Sequence, residues 1–214
     1  MIKKEKNRIE TIRQILKLTY PQVKTQLDYR NPFELLVATI LSAQCTDKQV
    51  NAVTETLFAQ LSTPSDFAHA SSQTVEALIH PTGFFRNKAK SIQKCSAALI
   101  EKHGGQVPES LQELVKLPGV GRKTANVVLG AAFGVPGMVV DTHVARISKR
   151  LGFTEHGDPV KIEFDLMKII SEADWNDFSL QLIYFGRQTC KSRKPACPSC
   201  PVAAWCDYPE KTTG

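Results

Sequence analysis

Leu117-Pro118-Gly119-Val120-Gly121-Arg122-Lys123-Thr124-Ala125-Asn126 sets two glycines in a tight turn and a lysine in the first turn of the apolar helix that follows. Glycine takes backbone angles that other residues avoid, so Gly119 and Gly121 let backbone N–H groups crowd outward. The helix starts at Gly121 or Arg122, and its first N–H groups have no partner inside it. Free donors and the helix dipole then point the same way, which makes a ready phosphate site. Lys123 stands beside any nucleic-acid backbone held there. The plain alternative is a Pro-Gly turn between two helices with a solvated lysine. Asp141 and four cysteines near the C-terminus weigh against it.

Working outward, the 214 residues fall between one domain and two, and can bury a core without disulfide staples. Lys and Arg number 27 against 21 Asp and Glu, a net charge of +6 that fits a polyanionic partner without identifying one. The charged start, Met1-Ile2-Lys3-Lys4-Glu5-Lys6-Asn7-Arg8, is no secretory signal. The longest uncharged run, Thr124 to Val140, contains Gly130, Gly134, Pro136 and Gly137, so it reads as a buried helix and a turn, not a membrane span. A cytoplasmic, nucleoid-associated monomer is expected, and in the cytosol disulfides are disfavoured.

The rest of the chain reads as helices. Ile9, Ile12, Ile15 and Leu16 share a face of a first helix, from about Asn7 to Leu18, ended by Tyr20-Pro21. Asn31-Pro32-Phe33-Glu34 is a strong start signal, and the helix from Phe33 to about Ala43 is apolar nearly all round, hence buried. Gln44 lies in the short break that follows. Further helices are predicted near Ser65–Ala70, Gln73–Ile79, Asn87–Lys102, Ser110–Leu117, Arg122–Phe133, Asp158–Ile170 and Asn176–Gln188. Asp141 caps another that carries Val144, Ile147 and Leu151 inward, with Arg146, Lys149 and Arg150 falling away. Phe84-Phe85 after the His80–Gly83 turn reads more readily as core. No convincing strand or repeat occurs, so the fold class is all-α, with about ten helices.

Cys190, Cys197, Cys200 and Cys206 follow C-x6-C-x2-C-x5-C, interleaved with Pro195, Pro198 and Pro201. That is a tight loop able to close round one metal centre. Zinc accepts four thiolates, and so does a 4Fe-4S cluster. A single C-x2-C with outer gaps of six and five is unusual for a zinc ribbon. Arg187, Lys191, Arg193 and Lys194 sit around the first two cysteines, where a pinned loop would present them rigidly to phosphate. Cys45 and Cys95 read as ordinary buried or half-buried thiols.

L-P-G-V-G-R-K-T-A-N, then Val140-Asp141-Thr142-His143, then the cysteine loop, in this order and separation, closely resemble the endonuclease III family of base-excision DNA glycosylases. The resemblance runs from about Arg8 to Cys206. It implies a helix-hairpin-helix DNA glycosylase fold with two helical domains flanking a DNA-binding cleft. Residues 24–134 would form a helical barrel ending in the hairpin; residues 1–23 with 135–214 would form a discontinuous domain holding a 4Fe-4S cluster on the four cysteines. Lys123 matches the family's catalytic lysine and Asp141 its catalytic aspartate. Gly119, Val120 and Gly121 match the hairpin that grips DNA. Gln44 matches the residue that fills the gap left by a flipped nucleotide, and Phe84 the apolar wedge on the opposite strand. Where the family often has Gly-Leu-Tyr-Asn, this chain has Gly83-Phe84-Phe85-Arg86, a bulkier wedge flanked by charge. His143 is a further candidate phosphate contact, and Arg193 and Lys194 are read the same way.

The implied activity is removal of oxidised pyrimidines from double-stranded DNA, followed by β-elimination at the abasic site through a lysine Schiff base. The attacking amine must be neutral. A helix N-terminus favours that form by at most about 1–2 kcal/mol, so desolvation must supply most of the remainder. Asp141 pulls the other way, since a carboxylate favours the ammonium. The reading therefore demands that Lys123 be substantially desolvated, at least with DNA bound. The nearest rival, an adenine-mismatch glycosylase, lacks the hairpin lysine and carries a further C-terminal domain; Lys123 and the end at Gly214 argue against it. A non-catalytic helix-hairpin-helix DNA-binding protein is disfavoured by Asp141.

Overall fold

The computed structural model of the protein describes residues 3–213; Met1, Ile2 and Gly214 lie outside the described residues, and with them the first two positions of the charged start. The described residues form eleven α-helices and four short 3-10 turns, with no strand among them. They divide into two compact units, Thr25–Val135 and a discontinuous one made of Met1–Lys24 with Pro136–Gly214.

The discontinuous unit starts with α1 (Lys3–Thr19), which begins a turn earlier than its apolar spacing predicts. Ile9, Ile12 and Leu16 recur at helical spacing and are buried.

The continuous unit holds α2 (Pro32–Leu41), α3 (Asp47–Gln60), α4 (Pro64–His69), α5 (Ser72–Ile79), α6 (Phe85–His103), α7 (Leu111–Leu114) and α8 (Arg122–Phe133). Asn31 caps α2 by accepting from the Glu34 N–H at 3.0 Å, with Pro32 pre-set at the first position. Every residue of α2 from Phe33 to Leu41 is buried, because α3, α6 and α8 all pack against it. Fully burying one such leucine or phenylalanine contributes about 1.5–3 kcal/mol, so α2 is the axis of this core. Its one buried charge, Glu34, is held by Arg30 through Nη2 at 2.6 Å and Nε at 2.9 Å. Cys95 lies in this core, where burial pushes its thiol up to about 12.

Back in the discontinuous unit, α9 (Thr142–Arg150), α10 (Pro159–Ile169) and α11 (Trp175–Gln188) join α1. α11 packs on both α1 and α9, closing a core of Ile12, Leu16, Val144, Ile147, Phe178 and Leu182. Asp165 of α10 holds the connection from α9: its Oδ2 accepts from Thr154 Oγ1 at 2.7 Å and lies 2.7 Å from His156 Nδ1. The cysteine segment follows α11. It is not wholly irregular, since Cys197–Ser199 and Ala203–Trp205 form single 3-10 turns. Val202, between them, is buried in the α1–α11 core and anchors the segment.

Candidate functional site

The hairpin is tighter than the sequence suggests. α7 is one turn, Leu111–Leu114, not a helix to Leu117. The chain continues through short-range bonds instead: Leu117 N–H to the Leu114 carbonyl at 3.0 Å and Val120 N–H to the Leu117 carbonyl at 3.1 Å. The two glycines do different things. Gly119 has φ +79, and a Cβ there would stand 2.7 Å from Ser91 Cβ. Gly121 has φ −92 and nothing within 4 Å of a Cβ. Gly119 is therefore required by the fold, whereas Gly121 leaves open space at the exposed start of α8. The Val120 side chain is buried and its N–H is used within the turn, so it anchors the hairpin from inside.

α8 begins at Arg122 with no side-chain cap, unlike α2, α3, α4, α5, α9 and α10, whose first turns accept one. The glycine at the cap position thus offers no side chain to the first turn of α8, the end of a helix that favours an anion. Lys123 is the second residue of α8 and is exposed. Any desolvation of its amine must then come from what binds there.

Gln44 and Phe84 share an unusual backbone. Both are non-glycine residues in the left-handed region, at φ +53 and +48. Such a conformation costs roughly 1–2 kcal/mol for an L-residue and persists only where the surroundings impose it. Both side chains are exposed, Phe84 at 63%. The Phe84-Phe85 pair is split: Phe85 packs against the core and Phe84 does not. Gln44, Phe84 and Gly119 line one cavity of about 270 Å³, with Lys88 and Ser91 in its wall.

In the discontinuous unit, Asp141 is the N-cap of α9, with Oδ1 accepting from the Val144 N–H at 2.8 Å. This fixes the carboxylate at the positive end of that helix. His143 is half-buried in the same first turn. Burial holds its imidazole below the ordinary range, against the opposing pull of Asp141. Arg146 Nη2 lies 3.3 Å from His143 Nδ1 and also donates to the Cys190 carbonyl at 2.8 Å. Gly186 of α11 gives the histidine room, since a Cβ there would come within 2.7 Å of Nδ1.

The four cysteines are free thiols, each partly buried. Among the described residues, no three His, Cys, Asp or Glu side chains are grouped to hold a metal ion. Burial pushes the Cys200 thiol up, Val202's N–H opposes that, and Cys190, Cys206 and Cys197 add to it. Arg150 binds the loop directly, through Nη1 to the Lys191 carbonyl at 2.7 Å and to Cys190 Sγ at 3.4 Å, and through Nη2 to the Ser192 carbonyl at 3.0 Å. Arg193 and Lys194 are exposed beyond it, and Lys194 is the third non-glycine residue at positive φ, +49.

Residues 37–172 match the model of the HhH-GPD superfamily of base excision DNA repair proteins. Endonuclease III of Synechocystis sp. is 52% identical over 94% of this chain and 93% of its own length. Endonuclease III of Bacillus subtilis is 49% identical over 90% of this chain and 88% of its own. The chain belongs to the endonuclease III family. A solved structure of a trapped endonuclease III–DNA covalent intermediate is 47% identical, covers 97% of each chain and superposes with a TM-score of 0.92. No helix among the described residues is long and apolar enough to cross a membrane.

Three features of this family member were not read from its sequence. Arg146 and Arg150 look like the solvated face of α9 but are half-buried and hold the cysteine loop some 40 residues on. Gly186 sits inside α11 with no turn to explain it; its reason is His143. Lys88 is buried, at 5% exposure. Its signal was available, for Lys88, Ile92 and Cys95 lie at helical spacing on the apolar face of α6.

Proposed function

We propose that the protein excises oxidised or ring-saturated pyrimidines from double-stranded DNA and then cleaves the abasic site, with Lys123 as the nucleophile and Asp141 as the catalytic carboxylate. The neutral Lys123 amine attacks C1′ of the lesion nucleotide. The C1′–N bond breaks, its electron pair leaves with the base, and the base takes up a proton. The amine gives up a proton, the C1′–O4′ bond opens with O4′ protonated, and a Schiff base to C1′ remains. Loss of a C2′ proton then expels the 3′ phosphate by breaking C3′–O. The transition state of the first step is cationic at the sugar, and a fixed carboxylate such as Asp141 stabilises it.

The observation that carries this reading is the placement of Lys123: exposed, second in an uncapped helix, directly behind a glycine turn with open space at Gly121. DNA phosphate at the helix start brings the sugar to the amine, and the closed complex removes water from it, which favours the neutral amine. The target nucleotide must leave the stack, at a cost of about a few kcal/mol that is least at a damaged pair. Gln44 fills the vacated space and Phe84 wedges the opposite strand. Val120 anchors the hairpin from inside while Gly119 and Gly121 let its backbone approach the DNA backbone, and His143, Arg193 and Lys194 add phosphate contacts.

The four cysteines fit a 4Fe-4S cluster by donor chemistry: free thiols in one short segment, each partly buried, with Arg150 donating to the Cys190 sulfur. Bound to Cys190, Cys197, Cys200 and Cys206, such a cluster would cross-link the loop that carries Arg193 and Lys194. The purified protein is expected to be brown and to contain iron with sulfide; a colourless zinc protein would refute the assignment.

Borohydride trapping tests the chemistry. Wild type should give a covalent complex with an abasic-site duplex, and Lys123→Ala should give none. An unchanged complex in the variant, or no complex in wild type, would sink the role of Lys123.

A further inference from the structure

Lys88 is an unusual residue by every local rule. It lies in the first turn of α6, where a cation opposes the helix dipole, and it is buried. Burying an ammonium is unfavourable unless its donors are used. They are used on two backbone carbonyls: Nζ donates to Leu41 at 2.9 Å and to Thr82 at 2.8 Å. Its own backbone N–H donates to the Phe84 carbonyl at 3.1 Å.

The positions of those carbonyls matter. Leu41 is the last residue of α2, three before Gln44. Thr82 is two before Phe84. One side chain thus bridges the chain entering the Gln44 break and the chain entering the Phe84 turn, and both of those residues are held in the left-handed region. No side-chain cap secures the Phe84 turn: α6 has none at its start, and Phe84 itself occupies the cap position. The same Lys88 lines the cavity that Gln44 and Phe84 share. A methionine would fill the volume of the lysine stem, so apolar packing alone does not call for an ammonium here. Departure from local preference, with every departure spent on the same two loops, is the mark of a positioning role.

We propose that Lys88 is a positioning residue that sets the spacing between the Gln44 and Phe84 loops, and so the gap into which an opened base stack fits. This rests on the reading of Gln44 and Phe84 as the residues that hold DNA open. Lys88 touches neither substrate nor reacting atoms; it acts through the Leu41 and Thr82 carbonyls.

The test separates stack opening from chemistry. Nucleotide extrusion is read by 2-aminopurine fluorescence beside the lesion. Base release is read under single turnover on duplex, and β-elimination on a single-stranded abasic oligonucleotide, which has no stack to open. Lys88→Met is expected to slow base release on duplex by about 10- to 100-fold and to reduce extrusion, with single-strand cleavage within about twofold of wild type. Lys88→Arg, which keeps charge and donors, should recover part of the duplex rate. Duplex activity within about twofold of wild type in Lys88→Met, or equal losses on duplex and single strand, overturns the proposal. If Lys88→Met does not fold, Lys88→Gln is read by the same criteria. Gln44→Ala and Phe84→Ala distinguish the two levels. If neither lowers extrusion, the reading of those loops fails; if both do and the Lys88 variants do not, only the present inference fails.

Discussion

The carboxylate of Asp141 accepts a hydrogen bond from the backbone N–H of Val144 at 2.8 Å, so the proposed catalytic aspartate is also the cap of its helix. The two roles separate by substitution. Asparagine caps a helix as well as aspartate, whereas alanine loses about 1 kcal/mol. Asp141→Asn is therefore expected to keep wild-type stability in thermal unfolding and lose base release by about 100-fold or more, because only the charge is gone. Asp141→Ala should lose both. An active Asp141→Asn would leave Asp141 a structural cap and nothing else.

Gly119 and Gly121 make a matched pair. Gly119→Ala forces a Cβ to 2.7 Å from Ser91 Cβ in a left-handed backbone, and should destabilise the protein by about 1–3 kcal/mol. Gly121→Ala meets nothing within 4 Å at an ordinary φ of −92, and should unfold like wild type. Its effect should fall on DNA affinity, by filling the space a phosphate needs. Equal melting temperatures for the two variants would remove this division of labour.

Lys194 offers a test of the basic loop. It is exposed and sits at φ +49, where glycine is at ease. Lys194→Ala and Lys194→Gly should each flatten the salt dependence of DNA binding by about one unit of slope. Only the glycine variant should also raise stability, by about 0.5–1 kcal/mol. An unchanged slope in both would take Lys194 out of the interface. Arg193→Ala is expected to flatten the slope without touching stability.

How much of this was legible in the sequence depended on how local the cause was. The hairpin, the Asn31 start signal and the Asp141 cap are set by residues within four positions of one another, so composition and spacing revealed them. α7 was overread because its apolar residues continue to Leu117 while the backbone has already turned at Val115. Phe84 and Phe85 look alike on paper; only the left-handed backbone at Phe84 decides which of them faces out. Lys88, Arg146 and Arg150 were hidden for a different reason. Charge in a sequence signals solvent, but each of these cations is paired with at least one backbone carbonyl 40 or more residues away in the chain, and no spacing rule encodes such a partner.

Asp165 predicts how the discontinuous unit responds to acid. Hydrogen bonds, first from Thr154 and then from His156, hold its carboxyl at about 2, below the ordinary 3.8. Between those values the folded chain binds fewer protons than the unfolded one, so stability falls as pH falls. The contribution is complete above pH 4, declines from there, and is gone once pH has passed below about 2. With its side chain 22% exposed, its worth is about 1 kcal/mol after solvent screening. Asp165→Asn should therefore lower stability near neutral pH by about that amount and converge with wild type in strong acid. Urea unfolding of the two proteins at pH 7, 4 and 2 measures it directly. A constant difference across that range would mean that Asp165 contributes packing and neutral hydrogen bonds, not charge.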